Sequence, residues 1–80
     1  MRYRELTELV DDVLGPAQGR ILLDELVLDA LGNRTGTGAL ADGVEPRLVW
    51  HALSDARDIP DGRRWGSDPH RQAPPRPADR

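Results

Sequence analysis

Apolar positions recur along the first sixty residues with the spacing of helices. Leu6, Leu9, Val10, Val13 and Leu14 form one stripe, with Glu5, Glu8, Asp11 and Asp12 off it, which predicts an amphipathic helix over about residues 3–14. Gly15 ends that pattern and Pro16 suits the first turn of a second helix, where its missing N–H would be unpaired anyway. Ile21, Leu22, Leu23, Leu26, Val27, Leu28 and Leu31 extend the second pattern over about 17–31. They cover most of the helix circumference and leave a narrow polar strip with Asp24, Glu25 and Asp29. A helix apolar almost all round is buried on most sides or keeps a face for a partner. Ile21 and Leu22 are the candidates for such a partner face.

The segment Leu31-Gly32-Asn33-Arg34-Thr35 reads as a helix end and a loop, with Gly32 able to close the helix and Thr35 or Thr37 able to cap the next. A short third helix follows over about 36–42, weakened by Gly36 and Gly38. Gly43 makes a corner, Val44 folds back on it, and Glu45-Pro46 opens a fourth helix over about 46–57 on which Val49, Trp50, Leu53 and Ala56 recur. The expected fold class is all-α: a small bundle of about four helices, with a helix-turn-helix-like corner from Ala39 to Ala56, Trp50 in or beside the core, and a disordered C-terminal tail. The domain division is 1–60 for the helical body and 61–80 for a Pro/Arg-rich flexible segment, because Pro69, Pro74, Pro75 and Pro77 forbid a regular helix there.

Composition narrows the class. Eighty residues support one domain that buries only about 60% of the surface exposed by its unfolded chain, so stability is thin and a deep catalytic cleft has no room. Cysteine is absent, which excludes disulfides and thiolate metal sites. No stretch reads as a signal peptide or a membrane span, and a cytoplasmic setting is expected. The net charge of −3 is unevenly divided: six Arg face eleven Asp and Glu up to Pro60, and five Arg face three Asp beyond it. An acidic body repels nucleic acid unless its arginines gather on one face.

Candidate chemistry is sparse. Asp11 and Asp12 are adjacent on a helix and so diverge by about 100°, which suits a solvated face better than a metal pair. GNRTGTG lacks the Lys-Ser/Thr ending of a phosphate loop. His51, Ser54 and Asp55 lie at i, i+3 and i+4, but nothing nearby supplies an oxyanion pocket. His70 in the tail is the only other histidine, too little for a structural zinc site. No catalytic residue, cofactor, metal or small-molecule substrate is expected. Two function classes stay open. One is a non-enzymatic interaction module that binds a protein partner or a second copy of itself through Ile21, Leu22 and Trp65, the last being the tail's one large apolar side chain. The other is DNA binding through Arg47, His51, Arg57, Arg63 and Arg64, with the second helix of the corner as the reading helix.

The chain also resembles a group of short actinobacterial proteins, the domain of unknown function 3046 family. The similarity rests on the opening MR with Glu5, LGPA at Leu14–Ala17, LGNRT at Leu31–Thr35, and AL, DGVEP and VW between Ala39 and Trp50, with Ile59-Pro60 closing the domain. The resemblance implies a compact helical domain in the same bacterial setting and transfers no activity. The chain departs from the family pattern at Leu26, where an acidic-histidine pair is usual beside Glu25, at Ser54, where cysteine is common, and at Gly38, where an acidic capping residue is usual.

Overall fold

A computed structural model describes residues 1–64. The chain runs α1 (Tyr3–Leu14), α2 (Pro16–Glu25), β1 (Val27–Leu28), a 3-10 turn (Asp29–Leu31), β2 (Arg34–Thr35), α3 (Gly36–Ala41), α4 (Pro46–Ala56) and a second 3-10 turn (Asp61–Arg63). The domain is mostly helical with four helices, but it is not purely all-α: β1 and β2 form a two-stranded antiparallel sheet in which Val27 pairs with Thr35 and Leu28 with Arg34.

That sheet corrects the expected second helix, which stops at Glu25 rather than Leu31. Leu26 leaves the helix in an extended conformation, φ −77° and ψ 119°. A continued helix would have turned Leu26, Val27 and Leu28 to three different sides. As a strand, the same residues alternate, so Leu28 enters the core and Val27 faces out. The return is made at Gly32 and Asn33, both left-handed at φ 74° and 61°, and the Asn33 amide donates to the Leu28 carbonyl at 3.1 Å. Two successive left-handed residues reverse the chain where an ordinary side chain would be strained.

The other elements follow their sequence signals closely. In α1 the Glu5 carboxylate accepts from the Arg2 amide at 3.0 Å, half of a capping arrangement, and Leu6, Leu9 and Val10 are buried. Thr35 caps α3, its hydroxyl accepting from the Gly38 amide at 3.0 Å. At the α3–α4 corner Gly43 is left-handed and the Val44 amide donates back to the Ala39 carbonyl at 3.0 Å.

The core gathers Leu6, Leu9 and Val10 of α1, Leu23 of α2, Leu28 of β1, and the Val49–Leu53 stretch of α4. α4 is the axis of this packing. Six consecutive residues, Val49 to Ser54, are buried, so its middle is enclosed around the full circumference rather than along one stripe. Trp50 is fully buried, as its place in the apolar pattern suggested, whereas Ala56 is exposed.

Candidate functional site

Two features of the surface and its margins have functional geometry. The first is a polar clasp over α4. Past Ile59-Pro60 the chain turns through Asp61–Arg63 and returns Arg64 to the helix it has just left. Arg64 is only 4% exposed. Its Nε donates to the Ile59 carbonyl at 2.9 Å, its Nη2 to Asp55 Oδ1 at 2.7 Å, and its Nη1 lies 3.2 Å from His51 Nδ1. Asp61 Oδ1 stands 3.5 Å from Nε. The Arg64 carbonyl in turn accepts from Trp50 Nε1 at 3.0 Å. A guanidinium carries donors only and stays charged, so burying one requires this density of acceptors.

The second feature is an open groove of about 480 Å³ at the other end of α4, where the first turn of α1 meets α3 and the corner. Tyr3, Leu40, Val44 and Pro46 give it an apolar lining, and Thr37 and Glu45 supply polar groups. Tyr3 is 58% exposed there, against 56% for Val27 and 51% for Ile21 elsewhere on the surface.

The residues singled out from the sequence are scattered. Ile21 is 51% exposed on α2, but Leu22 is half-buried and packs against the core. Trp65 lies outside the described residues. Of the five proposed phosphate contacts, Arg57 and Arg63 are exposed. Arg47 pairs with Glu45 at 2.9 Å. His51 and Arg64 are turned inward onto each other, His51 being 5% exposed. Arg47 and Arg57 sit near opposite ends of an 11-residue helix, about 15 Å apart along its axis. The middle of the expected reading helix, Val49 to Ser54, is enclosed, while its first turn is half-exposed and its C-terminal end is exposed.

The His51, Ser54 and Asp55 constellation is likewise taken apart. Ser54 Oγ is fully buried and has no hydrogen-bond partner, so no nucleophile–base contact exists, while His51 and Asp55 both serve Arg64. Among the described residues no group of three or more His, Asp or Glu side chains is placed to hold a metal ion. No helix there is long and apolar enough to cross a membrane. On the surface, Asp11 accepts both arms of Arg20 at 3.0 and 3.1 Å, and these hydrogen bonds raise the already high pKa of that guanidinium.

Sequence reasoning missed the role of Arg64 and the Tyr3 groove. The clasp had one partial signal, the His51–Asp55 pair on one side of an apolar helix, but nothing in the spacing assigned it a partner nine residues on. The groove had none, since its walls come from residues 3, 37–46 and no periodicity connects them.

Fold and site together define a small, mostly helical domain with a short β-ribbon, closed by a C-terminal clasp. The family model described as "Protein of unknown function (DUF3046)" matches residues 1–62, and the chain belongs to that family. Neither the curated proteins nor the solved structures provide a match.

Proposed function

We propose that this domain is a non-enzymatic protein-interaction module and that the Tyr3 groove is its working face. The observation that carries the reading is the exposure of Tyr3, one of three exposed large apolar side chains with Ile21 and Val27, at the lip of an open apolar groove. A Tyr with one wet face offers a large contact area at little conformational cost, a frequent feature of binding surfaces. The groove is open, and only Thr37 and Glu45 of its lining residues carry polar side chains beside the Tyr3 hydroxyl, few for a site that orients a small molecule. It suits one or two apolar side chains of a protein partner. Ile21 on α2 is exposed but does not line this groove, and Leu22 is packed inward. The DNA reading draws less support, because it needs His51 and Arg64 on the surface and an open face on α4.

Photocrosslinking from the full chain tests this. A benzophenone amino acid at Ala41, an exposed residue lining the groove, should give a discrete adduct that an identical probe at Gln18 on exposed α2 does not. Tyr3→Ser should abolish it without changing the melting temperature. The adduct should persist between about 50 and 200 mM salt, a range over which phosphate contacts weaken steeply. Equal adducts from both positions, or none from position 41, would overturn the assignment, and an adduct of twice the chain mass would identify the partner as a second copy.

A further inference from the structure

On the reading of the Tyr3 groove as the working face, we infer that its occupant is a proline-rich segment of a partner protein, in the polyproline II conformation and with an arginine among its prolines. A peptide docks with regular backbone as an added strand, as an amphipathic helix or as a polyproline II segment. An added strand needs a sheet edge, and the lining comes from α1, α3, the corner and the start of α4, with neither β1 nor β2 in it. An amphipathic helix lays anchors along a groove over two turns or more. Here the large apolar lining is Tyr3, Leu40, Val44 and Pro46, around an open space of about 480 Å³. So short a contact offsets little ordering of a flexible chain, residue by residue. A proline-rich segment is extended and stiff before it binds, so less freedom is lost.

The polar groups fit the same ligand. The Thr37 hydroxyl is engaged within the fold, 2.5 Å from Asp24 Oδ1 and 3.3 Å from the Leu23 carbonyl. The Tyr3 hydroxyl at the lip and the Glu45 carboxylate are what the groove presents. Polyproline II carbonyls have no internal partner and can accept from a tyrosine, while prolines bring no N–H that must be satisfied. Glu45 alone is charged among the described lining residues. Its Oε2 accepts from Arg47 at 2.9 Å and its side chain is 62% exposed, which leaves Oε1 for a cation of the ligand. Behind it the body up to Pro60 holds eleven Asp and Glu against six Arg, a field that favours a basic ligand.

Residues 73–77 of the chain read Ala-Pro-Pro-Arg-Pro, so a synthetic peptide of residues 72–78 has the required composition and serves as the probe. It is titrated into the isotope-labelled full chain carrying Pro74→Ala, Pro75→Ala and Pro77→Ala, in which no copy of the motif competes. The amides of Leu40, Ala41, Val44 and Glu45 should shift saturably, and that of Gln18 on α2 should not. Alanine at the peptide's three prolines should weaken binding at least about tenfold. Alanine at its arginine should weaken it about two- to fivefold, and Glu45→Gln in the protein should give the same loss without adding to it. A peptide with leucine at the three prolines that shifts these amides as strongly would overturn the proline-rich ligand and leave the groove as the working face. Binding indifferent to the arginine would overturn it equally. If neither the proline nor the leucine peptide moves these amides, the ligand assignment fails, and the crosslink from position 41 decides separately whether the groove is a working face.

Discussion

Trp50 donates its indole N–H to the backbone carbonyl of Arg64 at 3.0 Å, across fourteen residues of chain. The largest side chain of the core thereby has its one polar atom satisfied by the segment that closes over it. Trp50→Phe keeps most of the apolar volume, loses this bond and leaves a carbonyl without its donor, so it should cost about 1–2 kcal/mol. Trp50→Ala should cost about 3–5 kcal/mol, enough to unfold much of so small a domain. Urea titrations of both variants check this. A Trp50→Ala midpoint near that of the wild type would contradict burial of the ring.

Ser54 is the one described residue whose buried hydroxyl has no partner. A buried unsatisfied polar group costs about 1–3 kcal/mol, and alanine is also the better helix former. Ser54→Ala should therefore stabilise the domain by about 1 kcal/mol, raising the melting temperature by roughly 4–8 °C. A lower melting temperature would show that the hydroxyl is engaged in solution.

Gly19 marks the closest approach of α1 and α2. A Cβ there would lie 2.6 Å from Val10 Cγ1 and 2.8 Å from the Val10 carbonyl oxygen. The backbone oxygen cannot swing away as a side chain can, so overpacking of about 1–3 kcal/mol should outweigh the gain of up to about 1 kcal/mol in helix propensity. Thermal melts should show Gly19→Ala destabilised. Gly62→Ala, with no atom of the described residues within 4 Å of the new Cβ, should melt with the wild type.

Thr35 ends β2 and caps α3 with a 3.0 Å bond to the Gly38 amide. Thr35→Ala should cost about 1 kcal/mol, and Thr35→Ser, which keeps the oxygen, should recover most of it. Equal denaturation midpoints for the Ala and Ser variants would show that the β2 side chain, and not the cap, matters.

How far the sequence disclosed this fold depends on the kind of signal each element carries. α1 has a single stripe, Leu6-Leu9-Val10, flanked by acids, and that periodicity admits no other element. α2 fails after Glu25 because the run Leu26-Val27-Leu28 is apolar on every side, and such a run satisfies a buried helix and a strand equally. The deciding information sat in Gly32 and Asn33, whose successive left-handed conformations are a property of the folded backbone. For α4, charge misled in an instructive way. His51, read as a surface contact for nucleic acid, is buried because a distant arginine returns to cover it, while Asp55 pairs with the same arginine and stays more than half exposed. The exposure of Ile21 was foreseeable from the oversupply of leucine on α2. The Tyr3 groove was not, because it exists only where residues 3, 40, 44 and 46 converge.

Enclosure of α4 separates a buried axis from a helix that reads DNA, and backbone hydrogen exchange measures it most directly. The amides of Trp50 to Ser54 should be among the slowest in the protein, opening only with global unfolding and at the free energy found by urea titration. Arg63 and Arg64 should exchange through a cheaper local opening. If Trp50 to Ser54 instead exchange faster than the buried turn of α1 around Leu9, α4 is an exposed helix, and the groove at Tyr3 loses its claim to be the working face.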